Sequence, residues 1–538
     1  MPGLPVCTGV QRLTNGMRVT WDGPSGYYQL FQKSNRLNAS WVALGKATNL
    51  VRNATITTLY SNAFFRVFGP SPAYAGAQVC AGCHAGIHTT EMLTAHAGAF
   101  NNALFVAQGG QTNTSCLACH TVGYGLPTGF VSESRTPLLE GVQCESCHGP
   151  AANHAANPGD PTVIPRVELA AQVCGGCHSA GLAPVSVADS HPPVFDNWDA
   201  SPHAAVVPDT LQVMSLSTNN ISSCGRCHSG SVRLALINNQ NPVALTNDLN
   251  VAITCAVCHD PHQTNANPAQ LRNPLSSTND YYLSTSDVFT NKYNPNINVC
   301  AQCHNDRGDL WITTTTNNSV VTTNYLTARA PHRSLQYNFL LGSIGELLNG
   351  PATFNPGSHA GLPASAQYSI SGTFYLTNQC IDCHMQSDAS SPGTHNHLFE
   401  LVSHDVCMNC HVTEPGQSAI TISNDVATVI DALNLWAAAK APAALQTNGS
   451  VAWEYTTPGG LIWQTNQSGQ VTTWMLADTV NFSGPNAAGQ ALIPDNIKKA
   501  RYNLYLVLGD GSLGAHNLTF AISLLNAAQF QVLEELFQ

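Results

Sequence analysis

Eighteen cysteines and nine histidines of this chain recur in one pattern, Cys-x-x-Cys-His, nine times between Cys80 and His411. The copies are Cys80-Cys83-His84, Cys116-Cys119-His120, Cys144-Cys147-His148, Cys174-Cys177-His178, Cys224-Cys227-His228, Cys255-Cys258-His259, Cys300-Cys303-His304, Cys380-Cys383-His384 and Cys407-Cys410-His411. Two thiols about one helical turn apart reach the two vinyl groups of one porphyrin, and the adjacent imidazole is left facing the iron. The pattern therefore predicts nine covalent c-type haems, with the cysteines as thioether anchors and the nine motif histidines as proximal ligands. Zinc ribbons and redox dithiols also use Cys-x-x-Cys. Neither explains a His after the second Cys in every copy.

Whether such a chain conducts or catalyses depends on the other side of each iron. A haem with two histidine ligands passes electrons and has no room for a substrate, whereas an open iron binds nitrite, hydroxylamine or peroxide. Of 21 histidines, 12 lie outside the motifs, enough for nine distal positions. His96 and His203 occupy matched places in an internal repeat, as do His154 and His262. His332, His359 and His397 flank the last two motifs, and His516 stands in a "GAHN" turn ahead of a helix. These eight are expected to be distal ligands. His88, His191, His395 and His404 compete for the ninth place. His404 is entered there, although three residues ahead of its own motif it is placed to serve another haem or none.

The elements that must hold these residues follow an internal repeat. "TAHAGAF", "TSCLACH", "VQCESCHGPAANH" and "QVCGGCH" are answered by "NWDASPHAAV", "SSCGRCH", "ITCAVCHDPH" and "NVCAQCH". A third unit with "APHRSLQYNFLLGSIG", "NPGSHAG", "QCIDCHMQ", "THNHLF" and "DVCMNCH" departs from the pattern. The haem region spans residues 73–415, with pseudo-repeats at about 75–180, 190–305 and 330–415. It is loop-rich, and a chain this irregular buries too little apolar surface to offset its conformational entropy. Covalently held porphyrins would supply the missing core.

Residues 1–72 lack a motif and read as short strands, at Arg18–Trp21, Tyr27–Gln32, Ser40–Leu44, Thr55–Thr58 and Ala63–Phe68, in an all-β sandwich. Residues 416–538 read as helical. Ser423 or Asn424 is expected to cap a first helix through Val426, Val429, Ile430, Leu433 and Trp436. Pro494 is expected to open a second through Leu508. A last helix, from about Asn517 to Phe537, is expected to bury Phe520, Leu524, Leu525, Ala528 and Leu533. These helices should pack on the haems and supply a distal ligand.

Composition limits the partners. At 538 residues the chain should hold more than one domain, and only Cys7 remains outside the motifs, so no disulfide framework can form. Cys7 is read as a buried thiol or an intermolecular partner. A net charge of −11 argues against nucleic acid and leaves a basic redox partner open. No run of about 20 apolar residues spans a membrane.

"GYYQLFQKSNRLNASWVALG" with "FFRV" resembles fibronectin-III-like modules of secreted bacterial proteins. "CAGCH", "CLACH", "GVQCESCHGP" followed by a His, and "CGGCH" resemble the tetrahaem cytochrome c family of ammonia-oxidising bacteria. "CIDCHM" and the terminal "ARYNLYLVLGDGSLGAHN" are similar to multihaem cytochromes related to hydroxylamine oxidoreductase and cytochrome c nitrite reductase. The resemblance implies a mainly α, loop-rich multihaem cytochrome around stacked haems, with His96, His154, His203, His262 and His516 as distal ligands. It also implies that the haem at the second motif lacks one, which makes the haem of His120 the candidate open iron. The Cys-x-x-Cys-Lys motif of the nitrite reductases is absent.

Haem c is attached outside the cytoplasm, and no leader opens at Met1, so the expected protein is periplasmic or extracellular with its signal peptide outside this numbering. The expected function is electron transfer to other redox proteins or extracellular acceptors, with a homopolymeric conductive filament as one assembly. The alternative is an oxidoreductase of small nitrogen or sulfur compounds.

Overall fold

The structure, a computed structural model, describes residues 6–13, 16–22, 28–33, 42–47, 53–56, 64–68, 73–126, 128–159, 164–165, 170–182, 191–238, 240–241, 249–264, 268–272, 299–306, 330–353, 355–357, 359, 380–386, 395–408, 411, 416–446, 451–456, 461–465, 471–476 and 484–538. It divides into two compact units that cut across the three sequence-derived segments. One comprises Met1–Arg272 with Met385–Glu400, the other Asn273–His384 with Leu401–Gln538. The first six motifs fall in the first unit and the last three in the second.

The first unit opens with strands β1 (Val6–Leu13), β2 (Gly16–Asp22), β3 (Tyr28–Lys33), β4 (Val42–Ala47), β5 (Asn53–Ile56) and β6 (Phe64–Phe68). They form two antiparallel three-stranded sheets, ordered β1-β2-β5 and β4-β3-β6. In β2 the side chains alternate: Val19 and Trp21 are buried and Arg18 is exposed, as period-two patterning requires. Strand β1 is absent from the sequence reading, because its apolar residues Val6, Cys7, Val10 and Leu13 do not alternate and Gly9 interrupts it. Gly9 follows a register irregularity and accepts a hydrogen bond from Thr20 Oγ1 at 3.2 Å. Cys7 lies on β1.

Then come short helices: α1 (Ala77–Glu91), α2 (Ala103–Ala107), α3 (Thr114–His120), α4 (Cys144–His148), α5 (Ala152–Ala156), α6 (Gln172–His178), α7 (Val194–Ala200), α8 (Pro208–Ser215), α9 (Thr218–His228), α10 (Gly230–Ile237) and α11 (Cys255–Cys258). Most are too short to be stable alone. Side-chain caps start several of them: Asn113 Oδ1 accepts from Ser115 N at 3.0 Å ahead of α3, and Ser217 Oγ from Asn220 N at 3.1 Å ahead of α9. The apolar clusters are small, the largest in this unit joining Tyr74, Phe100, Phe105, Leu117, Val122, Phe130 and Leu139.

Buried polar clasps do the rest. Glu145 of α4, 1% exposed, accepts from the backbone N–H groups of Ala75 (3.0 Å), Gly76 (2.7 Å) and Ala151 (2.7 Å). Gln143 Oε1 accepts from Ala77 N at 3.0 Å. The third motif is thereby tied to the start of the helix that carries the first. The repeat is visible in the backbone as well. Val142 N donates to His96 O at 2.9 Å, and Ile253 N to His203 O at 3.1 Å, in each case two residues ahead of a motif.

The second unit contains α12 (Gln336–Leu340), α13 (Cys380–His384), α14 (Asp405–Met408), α15 (Gly416–Ala439), α16 (Ala487–Gln490), α17 (Asp495–Asp510) and α18 (Leu518–Phe537), with a hairpin of Leu461–Thr465 and Val471–Leu476. Its core is a conventional helical one, built from Val426, Leu433 and Trp436 of α15, Leu504 and Leu506 of α17, and Phe520, Leu524 and Ala528 of α18. Helix α15 starts at Gly416, so Ser423 lies inside it, donating to Ala419 O at 2.8 Å, and caps nothing. Asn517 does cap α18, accepting from Phe520 N at 3.2 Å. Leu533 is 36% exposed, and Val532 takes the buried place instead.

Helix α17 is buried nearly all round, polar residues included. Arg501 Nη1 donates to the carbonyls of Trp453 (2.8 Å) and Glu454 (3.0 Å), and Tyr505 donates to Glu454 Oε2 at 2.6 Å. Asn503 exchanges hydrogen bonds with both backbone groups of Glu346. Gly511, at φ 73°, turns the chain out of the helix where a side chain would be strained.

Replacing Glu145 by Ala orphans the buried N–H groups of Gly76 and Ala151 and the partly buried one of Ala75, and a buried donor left unmade costs about 1–3 kcal/mol. Denaturant melts of the haem-loaded E145A protein should show a loss of roughly 3 kcal/mol or more, and an unchanged midpoint would remove the clasp from the account.

Candidate haem sites

In each described motif the two cysteines sit at i and i+3 of a helical turn, so both thiols leave the same face and the histidine follows at its end. Seventeen of the 18 motif cysteines are described, and none of these is in a disulfide. Cys410 lies outside the described residues. Among the described residues no three His, Cys, Asp or Glu side chains gather as a metal cluster. Histidines meet in twos instead.

Six motif histidines each face a histidine from elsewhere in the chain. In the first unit the ring centroids of His178 and His96 lie 6.1 Å apart, His120 and His191 6.1 Å, His148 and His262 5.9 Å, and His259 and His397 6.2 Å. In the second unit His411 and His359 are 5.9 Å apart and His384 and His516 6.1 Å. An iron between two imidazoles needs two iron–nitrogen bonds of about 2 Å plus about 1.1 Å from each nitrogen to its ring centre, or about 6.2 Å in all. The spacing fits six-coordinate haem iron.

The outer nitrogens are held accordingly. Nδ1 of His120 lies 3.0 Å from Ala99 O, that of His259 2.7 Å from Ala269 O, that of His359 2.5 Å from Ala515 O, and that of His397 3.0 Å from His395 O. A carbonyl only accepts, so Nδ1 must carry the proton and Nε2 is left bare, as a metal ligand requires. Phe105 stacks on the His120 ring at 4.1 Å and steadies its plane. Burial, and then the imidazoles around it, push His178 down to about 4; burial, with His259 next, does the same to His397. Both are thus kept neutral, the form that binds iron. His516 differs. Burial works against its charge, but Asp510, with a side chain 1% exposed and Oδ1 2.6 Å from Nδ1, outweighs this and raises its pKa.

The partners do not follow chain order. His96 precedes the second motif yet faces the fourth; His262 follows the sixth yet faces the third; His397 faces the sixth and not the motifs it flanks. His191, one of four competitors in the sequence, stands opposite His120, where the resemblance implied no protein ligand. Its short peptide context, between residues 183–190 and Pro192-Pro193, holds no repeat signal that would single it out. Of the other expected residues, His154 lies on α5 two residues after Ala152, whose N–H donates to Ala73 O at 3.0 Å just ahead of α1. His203 meets Phe399 edge-on at 4.5 Å. His332 Nδ1 is 2.8 Å from Ser334 Oγ, and His395 Nδ1 is 2.7 Å from Met385 O. His404 begins the turn before α14, its carbonyl accepting from Cys407 N at 2.9 Å. His84 sits at a kink within α1, four residues before His88.

The protein family described as "Cytochrome c554 and c-prime" matches residues 79–149, which carry the first three motifs. Cytochrome c-554 of Nitrosomonas europaea is 33% identical over 93 residues, 15% of this chain and 40% of that protein. Multihaem cytochrome MtrA of Shewanella baltica is 29% identical over 160 residues, 28% of this chain and 45% of that protein. The chain thus spans less than half the length of these curated relatives. Among solved structures, the outer cell wall cytochrome OcwA is 17% identical with a TM-score of 0.51, covering 85% of this chain and 99% of its own. The chain has a multihaem cytochrome fold, helical and loop-rich with little sheet, and its motifs are those of c-type haem attachment. No helix among the described residues is long and apolar enough to cross a membrane.

Two measurements probe the site. An anionic acceptor strengthens the hydrogen bond at His516 relative to a neutral one by about 1 kcal/mol, or about 40 mV for a one-electron couple. D510N should therefore raise the potential of the haem at His384 by roughly that amount in a spectropotentiometric titration, other haems staying put. Glu91, at the end of α1 and 5% exposed, is pushed up by burial from 4.5 to about 7. Its pKa is higher folded than unfolded, so the unfolded chain ionises first and the folded state loses stability as pH rises through that window. Melts from pH 4.5 to 8 should show E91Q escaping this loss, by up to roughly 3 kcal/mol.

Proposed function

We propose that the chain holds nine c-type haems, one on each motif, and passes electrons along them between redox partners outside the cytoplasm. The six facing imidazole pairs carry this reading, because an iron with a protein ligand on both sides offers no coordination position to a substrate. The haem irons supply the chemistry, one-electron exchange between ferric and ferrous states. The chain's own residues anchor, ligate and insulate: thioether cysteines fix each group, neutral imidazoles set its potential, and Ala99, Ala269 and Ala515 carbonyls hold the rings in the ligating tautomer.

His191 is assigned as the distal ligand opposite His120, which closes the site that the family resemblance left open. His154 is assigned to His84, supported by the tie between α5 and the segment preceding α1. Distal residues for His228 and His304 are drawn from His88, His203, His332, His395 and His404. The order of the two N-terminal sheets, β1-β2-β5 and β4-β3-β6, is that of an immunoglobulin-like Greek key, which supports a fibronectin-III-like sandwich serving as a docking module.

Intact-mass spectrometry should find nine haems on the full chain, and electron paramagnetic resonance of the oxidised protein should show low-spin iron throughout. H191A should convert one iron per molecule to a high-spin form that binds nitrite. A high-spin signal already present in the unaltered protein and shifted by nitrite or hydroxylamine would overturn this reading in favour of an oxidoreductase.

A further inference from the structure

The third and sixth motifs are matched copies in the repeat, "CESCHGP" and "CAVCHDP", yet the charges placed in them differ in sign. In the third, Glu145 stands between the two cysteines and is 1% exposed. Its Oε1 accepts from the N–H groups of Ala75 at 3.0 Å and Ala151 at 2.7 Å, and its Oε2 from those of Ala75 at 3.0 Å and Gly76 at 2.7 Å. Every one of these donors is neutral, and among the described residues no cation pairs with Glu145. The third motif therefore holds a buried negative charge without a counter-ion.

In the sixth motif Ala256 takes the place of Glu145, and a guanidinium reaches it instead. Arg272 Nε donates to Ala256 O at 2.9 Å, and Arg272 N to Cys258 O at 2.7 Å. Asp260, which stands where the third motif has Gly149, is the counter-ion, with Oδ2 3.2 Å from Arg272 Nη1. Its other oxygen faces His262: Oδ1 accepts from His262 N at 3.1 Å and lies 3.8 Å from His262 Nδ1. The ion pair is a dipole, with its positive end on the backbone of the sixth motif and its negative end toward His262. That histidine is the one facing His148 of the third motif, ring centroids 5.9 Å apart. It follows His259 by three residues, so a stretch no longer than about 11 Å carries one ring for each site. Chain connectivity makes the two sites neighbours.

Reducing a haem adds one negative charge, which a nearby anion opposes and a nearby cation favours, most strongly where water is excluded. We propose that Glu145, Asp260 and Arg272 poise these two neighbours in opposite directions, making the haem at His148 the electron donor and the haem at His259 its acceptor. In the transfer one ferrous iron at His148 becomes ferric as one ferric iron at His259 becomes ferrous. One electron moves, and no bond or proton changes place. The two copies of the module differ in the charges around them and not in the type of their ligands, and that difference gives this part of the path its direction.

The inference rests on the electron-transfer reading and is tested separately from it, in redox titrations of the full haem-loaded chain at neutral pH with individual haem methyl resonances followed by nuclear magnetic resonance. E145Q keeps the size of the side chain and removes its charge. At fixed applied potential it should raise the ferrous-to-ferric ratio of one haem about tenfold, a rise of about 59 mV in its midpoint. R272Q removes the cation beside the sixth motif and should lower the ratio of a second haem by a similar factor. In the unaltered protein the haem moved most by E145Q should have the lower midpoint of the two. The reverse order, or no displacement in either variant, would overturn the proposal. If E145Q fails to fold or loses haem, D260N replaces it: it removes the anion beside His262 and should most raise a haem whose midpoint lies below that of the one moved by R272Q, and no such rise would overturn the proposal equally. A failure of the electron-transfer reading would show instead as a nitrite-responsive high-spin signal before any substitution.

Discussion

The proposed haem sites depend on holding two imidazole rings about six ångströms apart. Each ring must come from a different part of the chain, because a residue next to a motif is bound to that motif's own face of the haem. His384 and His516, or His259 and His397, are therefore brought together by folding and by nothing local. His120, His259, His359 and His397 are each fixed by a backbone carbonyl at Nδ1, and such a carbonyl in turn needs a loop whose path is set. Loops here are positioning elements in the same sense that helices are elsewhere.

The two units solve this in different ways. The first has short helices, small apolar clusters and buried clasps such as Glu145, so its order depends on polar contacts that must all be made at once. The second has a large helical core, and the turn between α17 and α18 that presents His516 is built on it. Asp510 at the end of α17 is thereby held rigidly against His516. The same helix that crosses this core also supplies the carboxylate hydrogen-bonded to His516.

Adjacency between sites follows from the same economy of space. In the proposed electron-transfer reading the path between haems is decided by how the loops pack, and a chain with only 9% charged residues offers little general field to steer a partner.

The amino-acid sequence by itself determined the anchors: nine copies of a five-residue spacing follow from covalent chemistry within one helical turn, where tertiary context has no say. It also determined the terminal helices, since an apolar face at helical spacing survives without partners, although the start of α15 and the exposure of Leu533 needed the packing to be known. The repeat located His96 and His262 as candidate ligands but not the motifs they face. His191 shows the limit most clearly. A lone histidine before two prolines carries no periodic or repeated signal, and only the close approach of its loop to His120 makes it a partner. Ligand pairing is a contact between residues far apart in sequence, and a contact of that kind is decided by three-dimensional packing, which leaves no mark on local residue patterns.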